Sequence, residues 1–438
     1  MRFFRTKPGP LVLMSYLLAN ITGTFLLLLP WATVKPGSAT LLEAWFTATS
    51  ALTVTGLIVV PTDTYWSLFG HTVILLLMQI GGLGLMVMAT LVLTALGMKI
   101  QLGHRALIAQ ERNHFSISGV VKLVKNVVIL TLIIELIGII ALAMLLPGIW
   151  DNGWLEGLFF TTFHAVSAFN GAGFDLTGES LAPYKDSSAI IFVFTVLILI
   201  GSLGFVVLQE LFVSRKWKRL SLHSRLVLWV TSAIALVGSF FYYVTSIERG
   251  VDELPWVHQL VYSLFQAITR TAGFTTEPVT IWAESFILLM ILMMFIGASP
   301  GSVGGGIKTT TFGTIILAVW AFVRGRKEVV LFEREIATES VLKAFIVVVT
   351  AALLVFVSTF FVMLVEGLPF KPVLFEVVSA LATVGLSMGI TAELSAFGQV
   401  IIGLLMLIGR VGVLSLITIL AGREARKARY MKESILIG

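Results

Sequence analysis

The chain has 438 residues, 57% of them apolar and 12% charged, with a mean hydropathy of +0.99. Soluble domains carry about 25% charged residues, so a soluble globular fold is excluded. The absence of cysteine excludes disulfides, thiol nucleophiles and Cys-ligated metals, and the net charge of +6 is informative only through where the basic residues lie.

A bilayer core about 30 Å thick needs roughly 20 residues of apolar helix to cross it. In chain order such stretches run over Leu11–Leu29, Leu68–Leu96, Val127–Leu146, Ala189–Val213 and Leu226–Val244. They continue with a broken pair (Phe286–Ile296, then Thr309–Val323), Ala344–Val365 and Val400–Leu420, which makes eight spans. The first run is read as a spanning helix and not as a cleaved leader, because no small-x-small site precedes Pro30. An even number of spans puts both termini on one side. Twenty-three basic residues flank that side, against five on the other (Lys35, Lys185, Arg249, Arg270 and Lys371), so both termini are expected in the cytoplasm. Fifteen acidic residues on the outer side, Glu43, Asp63, Asp175, Glu179 and Asp186 among them, predict a cation-attracting vestibule.

Each of the four outer connections begins with an amphipathic stretch too short to cross and ends in a small-residue cluster. In register these read SALTVTGL (Ser50 to Leu57), SAFNGAGF (Ser167 to Phe174), AITRTAGF (Ala267 to Phe274) and SALATVGL (Ser379 to Leu386). Their glycines, Gly56, Gly173, Gly273 and Gly385, are each followed by Leu or Phe. Ten residues upstream stand Phe46, Phe163, Ser263 and Phe375. The expected fold is therefore an all-α integral membrane protein of four tandem repeats around a central pore, with boundaries at 1–113, 114–220, 221–340 and 341–438. Each repeat is a helix, a re-entrant pore helix, a glycine loop and a second helix.

Irregular backbone at membrane depth is tolerated only when buried in protein or lining a watery cavity. Four such loops on one axis would supply a ring of carbonyl oxygens able to replace the water shell of a cation. The pore helices would aim the negative ends of their dipoles at its centre. After the third loop the inner helix is interrupted by GASPGSVGGG (Gly297 to Gly306), which places a flexible segment at mid-membrane beneath the loops; the other inner helices read as unbroken. A Walker-type phosphate loop is rejected there, because Ile307 occupies the lysine position and Lys308 comes one residue late. Arg410, within the last span, is suited either to hold loop carbonyls or to form a structural ion pair, and Lys308 has the same two readings. Glu135 is read as paired with its neighbours. Arg270 is read as tying the back of the third loop to an acidic residue or to pore-helix carbonyls. The six histidines have no metal-ligand spacing, and no polar constellation suggests an enzyme.

The four TVTGL, NGAGF, RTAGF and TVGLS signatures on this repeat resemble the Trk/Ktr/HKT superfamily of potassium transporters, closest to its KtrB-like membrane subunits, over about Pro8 to Gly422. That resemblance implies a K+-selective filter in which Gly56, Gly173, Gly273 and Gly385 line the narrowest part. Carbonyls of Thr55, Ala172, Ala272 and Val384, with those of Val54, Gly171, Thr271 and Thr383, continue the column. Na+-preferring relatives commonly carry Ser at the first filter glycine, here Gly56. It further implies a gate made of Gly297, Ala298, Ser299, Pro300, Gly301, Ser302, Gly304, Gly305, Gly306 and Lys308, faced by Arg410. A bacterial cell-membrane location, a homodimer and a cytosolic octameric ring of RCK-type subunits of the KtrA or KtrC kind, binding ATP or ADP, are implied likewise. No cofactor is expected on this chain, K+ is the transported ion, and Na+ dependence stays open. The basic segments around Lys122 and Lys125, Ser214 to Arg219, and Arg324 to Glu328 would face that ring or anionic lipid. The tail RYMKESILIG either packs at the dimer interface or is disordered. The other function class is an alternating-access carrier, which would show inverted repeats and paired broken helices.

Overall fold

The computed structural model describes residues 8–84, 120–151, 153–214, 216–249, 251 and 254–420. The basic amino end, most of the connection between the first two repeats, and the carboxyl-terminal tail lie outside the described residues. The outer helices are Pro8–Leu27, Val120–Leu145, Leu222–Ser246 and Thr338–Glu366. The short pore helices are Leu41–Thr53, Trp154–Asn170, Trp256–Ile268 and Phe370–Leu381. The inner helices begin at Leu68, Ser188, Glu284 and Ala396. Local signals set these starts. A capping box joins Thr40 to Glu43 at the first pore helix, and Ser67, Ser187 and Ser395 each accept a backbone N–H at the head of an inner helix.

Outward-facing Leu132, Leu136, Met144, Leu353, Phe356 and Phe360 stay exposed on the outer helices. An apolar face of that extent is stable in lipid and not in water. Among the described residues, three helices are long and apolar enough to span a bilayer by themselves: Val124–Leu145, Leu222–Ser246 and Thr338–Glu366.

The inner helices are shorter because they break. Gly84 (φ 85°, ψ 134°), Gly204 (φ 90°, ψ 140°) and Gly412 (φ 90°, ψ 134°) each end a helix, and the pieces on either side of Gly204 are bent by 98°. This corrects the expectation that a single inner helix is interrupted. Ala189–Val213 and Val400–Leu420 are each two helices (Ser188–Leu203 with Phe205–Ser214; Ala396–Val411 with Val413–Leu420), and the helix starting at Leu68 stops at Leu83. The sequence signal is Ile-Gly-x-Leu/Val-Gly at 80–84, 200–204 and 408–412. The third repeat reaches the same backbone conformation after its inserted loop, at Lys308 (φ 83°, ψ 140°), where a side chain is strained by about 1–3 kcal/mol.

Packing closes the four repeats into a ring. The inner helix of the first repeat packs on the pore helix of the second, the second on the third, the third on the fourth, and the fourth on the first. Close approach within a repeat needs the first glycine of the Ile-Gly motif: a Cβ at Gly81, Gly201 or Gly409 would collide with the carbonyl oxygen of Leu52, Phe169 or Leu381, near the end of the repeat's own pore helix. Gly201→Val is therefore expected to cost at least the roughly 1–3 kcal/mol of ordinary overpacking. A fall in the thermal unfolding midpoint of the purified chain measures it, and an unchanged midpoint would show that the contact yields freely.

Candidate functional site

The pore-helix ends carry the site. In the first, second and fourth repeats the chain leaves the helix through a left-handed residue: Val54 (φ 58°), Gly171 (φ 68°) and Thr383 (φ 49°). The next N–H then bonds back five residues, Thr55 to the Ser50 carbonyl at 2.8 Å, Ala172 to Ser167 at 2.8 Å and Val384 to Ser379 at 2.9 Å. This closes the helix in a Schellman-type turn. Val54 and Thr383 are β-branched in a conformation that favours glycine, a cost accepted only where the surroundings over-determine it. The serine hydroxyls reach further: the Gly56 and Gly385 N–H groups donate to Ser50 Oγ and Ser379 Oγ at 3.0 Å, and Ser167 Oγ donates to the Phe174 carbonyl at 2.7 Å. Tying the loop back toward the helix in this way leaves the opposite side of the turn to carbonyls. The third repeat differs. It has Ala267 in this register, ends its helix in a 3-10 turn (Thr269–Thr271), and uses Thr269 Oγ1, which donates to the carbonyls of Ala272, at 3.0 Å, and Phe274.

All four glycines predicted for the filter meet. A Cβ on Gly56 would collide with the Ala172 carbonyl oxygen, and one on Gly173 would lie 2.8 Å from the Gly273 Cα. On Gly273 it would lie 2.9 Å from the Gly385 carbonyl carbon, and on Gly385 it would strike the Thr55 carbonyl oxygen, which closes the circle. Val54, Thr55, Ala172, Thr271, Ala272, Thr383 and Val384 are all buried around it. The ring is backbone throughout. One carbonyl is engaged differently from the expected column: Val384 O accepts the N–H of Gly273 in the neighbouring repeat.

The segment 297–308 lies on the inner side of this ring, tied directly to the second and fourth repeats. Toward the second, Ser299 N–H donates to Ser202 O (3.1 Å), Val303 N–H to Gly201 O (3.3 Å), and Phe205 N–H to Gly301 O (3.1 Å). Toward the fourth, Gly305 N–H donates to Thr383 Oγ1 at 2.9 Å, directly against the glycine ring. Arg410 completes the arrangement, its two terminal nitrogens donating to Val303 O of the loop and to Gly81 O of the first repeat's inner helix. Lys308 Nζ holds the carbonyls of Gly304 (2.5 Å) and Gly305 (3.3 Å). Inside the segment, Ala298 N–H donates to Gly305 O, Ser302 Oγ to Ser299 O, and Thr309 Oγ1 to Ser299 Oγ. Gly297 and Gly306 pack backbone to backbone, and the Pro300 carbonyl lies against Gly204.

Arg270, expected to meet an acid or its own pore helix, does neither. Its Nη1 donates to Gly297 O at 2.6 Å and to Met293 O at 3.1 Å, carbonyls at the end of the inner helix Glu284–Ile296. A cation there complements the negative helix terminus, and one guanidinium joins the third turn of the ring to the start of the loop below. Glu135 sits in a polar triad, accepting from Gln79 Nε2 at 3.1 Å and Asn170 Nδ2 at 3.3 Å, which pins the end of the second pore helix. Among the described residues no cluster of three or more His, Asp or Glu could hold a metal ion, and His104 and His114 lie outside them. The serine braces have a sequence signal, since Ser50, Ser167 and Ser379 open three of the four clusters.

A family model described as TrkH, cation transport protein, matches residues 12–427. The Ktr system potassium uptake protein B of Bacillus subtilis strain 168 is 40% identical over 442 residues, covering 100% of this chain and 98% of that relative. The protein of the same description from Vibrio alginolyticus is 36% identical, with coverage of 98% and 94%. The crystal structure of the potassium transporter TrkH from Vibrio parahaemolyticus has the same fold, with a TM-score of 0.72 at 20% identity over 94% of this chain and 84% of that one. The chain belongs to the TrkH family of cation transport proteins and, within it, to the KtrB-like membrane subunits.

Proposed function

We propose that this chain is the ion-translocating subunit of a K+ uptake system, with the four glycine turns as its selectivity filter and the segment 297–308 as its gate. The observation that carries this reading is the closed circle of Gly56, Gly173, Gly273 and Gly385, each against the backbone of the next. A stretch of glycine-rich backbone crowded on one axis, with the Gly56 and Gly385 N–H groups tied back by serines, suits a dehydrated monovalent cation. No acidic side chain is needed for binding. Electroneutrality of the filter favours a singly charged ion over a divalent one, and Gly56 at the first position favours K+ over Na+.

Beneath the filter the loop and Arg410 are arranged to oppose conduction. A K+ passing about 5 Å from the guanidinium meets roughly 3 kcal/mol of repulsion at an effective dielectric of 20. Opening then means withdrawing Val303 and Arg410 from each other, a change confined to a few hydrogen bonds. In this proposal the drive comes from a cytosolic nucleotide-binding ring of RCK-type subunits acting on a homodimer in the bacterial cell membrane, with both termini cytoplasmic. The relatives are named as parts of a Ktr system, which supports a separate regulatory subunit. An alternating-access carrier is disfavoured because the four repeats follow one another head to tail in a ring and none is inverted. The number of broken inner helices does not separate the two readings, since the inner helices of the second, third and fourth repeats are all interrupted and that of the first ends at Leu83.

Three outcomes follow for the full-length chain in liposomes. Gly56→Ser places a side chain where φ is +88° and the Ala172 carbonyl leaves no room, and is expected to lower K+ over Na+ discrimination about tenfold, the effect of about 1.4 kcal/mol. Unchanged ion preference would count against the filter. Deleting Pro300 to Gly305 removes the bonds to Gly201, Phe205 and Thr383 and should raise basal K+ flux; wild-type flux at equal protein would remove the gate assignment. Arg410→Ala should raise basal flux in the same direction, and adding a nucleotide-bound soluble partner should then stimulate it less than it stimulates the wild type. Equal stimulation of both proteins would place the regulated step elsewhere.

A further inference from the structure

The braces from Ser50, Ser167, Thr269 and Ser379 fix only the part of each loop next to the pore helix. The residues just beyond the glycines also need fixing, because an unpaired strand leaving the ring would let the circle widen or narrow freely. In three repeats a second pore-helix side chain does this, one helical turn before the brace.

In the fourth repeat it is Glu376, 1% exposed, nine residues before Gly385. Its Oε2 accepts from Ser387 Oγ at 2.9 Å and its Oε1 from Thr391 Oγ1; the two hydroxyls are 3.1 Å apart. The Gly389 N–H, at the turn of that loop (φ 92°), donates to the same Ser387 Oγ at 2.9 Å. In the second repeat the residue in register is His164, also 1% exposed. Its Nδ1 pairs with the Phe160 carbonyl at 2.8 Å, which puts the proton on Nδ1 and leaves Nε2 to accept the Leu176 N–H at 3.3 Å. In the third repeat Gln266 donates from Nε2 to Thr276 Oγ1 at 2.7 Å. Leu176 and Thr276 stand three residues beyond Gly173 and Gly273, and Ser387 and Thr391 bracket the same place after Gly385.

The pairs Glu376 and Ser379, His164 and Ser167, and Gln266 and Thr269 are all spaced i, i+3, which puts both members on one face of the helix, toward the loop. These three loops are thus held at two points, one beside the glycine and one at the mouth. The third repeat keeps the pattern although its pair is shifted two residues along the helix.

Resting on the filter reading above, we propose that Glu376, with His164 and Gln266, is a specificity-determining positioning residue that fixes the aperture of the glycine ring from behind. Glu376 is the member with most at stake, since it gathers two hydroxyls of one loop on a single carboxylate in a site without water access.

The test measures K+ and Na+ uptake into liposomes containing the full-length chain, with half-saturation and maximal rate separated. Glu376→Ala is expected to lower K+ over Na+ discrimination about tenfold, while Glu376→Gln, which still bonds both hydroxyls, stays within about threefold of wild type. Gly56→Ser serves as the filter control. A normal ion ratio in Glu376→Ala beside an altered one in Gly56→Ser overturns the positioning role and leaves the filter standing. Normal ratios in both overturn the filter reading and this inference with it. Equal loss of maximal rate for the two ions, with the ratio unmoved, marks a merely structural residue and also overturns the proposal. Should Glu376→Ala fail to fold, Thr391→Val removes the partner from the loop side: a lowered ratio supports the clamp and an unchanged one refutes it.

Discussion

The structure is organised by one constraint: four backbone turns share an axis inside the membrane, so closely that no Cβ fits at Gly56, Gly173, Gly273 or Gly385. Polar backbone at that depth has to be enclosed by protein. The short pore helices, the glycines that let the inner helices press on them, and the serines that hold the loops all serve that enclosure. Each inner helix also packs on the next pore helix, so the four turns are positioned together and not one by one.

Within this near-fourfold frame the third repeat is the exception at every level. It lacks the brace serine and the left-handed helix end, it carries Lys308 in a glycine-type conformation, and it reaches that residue 24 positions after its inner helix begins, where the other repeats take 16. Its departures are linked physically. Arg270 leaves the third pore-helix end to bind Gly297 O, where the inserted loop begins, and Gly305 near its end bonds Thr383 of the fourth turn. The ring above and the segment below therefore share hydrogen bonds at two places. A movement of the segment thus cannot leave the ring wholly unaffected.

Arg410 shows how one residue can serve this frame from a distance in sequence. It occupies the position held by Gly82 and Ser202 in the Ile-Gly-x-Leu/Val-Gly motif of the first two repeats. Only there does a long cation extend across to both the third repeat's loop and the first repeat's Gly81 carbonyl. The two equivalent places in the first and second repeats hold neutral residues, so within this motif the positive charge comes from the fourth repeat alone.

The sequence alone determined the class of molecule, the fourfold repetition and the identity of the glycines, because hydropathy and register depend on local composition and survive without knowledge of contacts. It also located the segment at 297–306 from its glycine content. It misjudged the inner helices: Gly84, Gly204 and Gly412 lie in runs apolar enough to read as unbroken, and a single glycine in such a run interrupts the helix only when neighbours stabilise the bend. It likewise misplaced the partners of Arg270. What only the tertiary structure decided is which carbonyls meet which donors, Arg270 with Gly297, Arg410 with Val303 and Gly81, Glu376 with Ser387 and Thr391. Such pairings arise from closing the ring, which brings together groups up to 329 residues apart, and no local pattern encodes that distance.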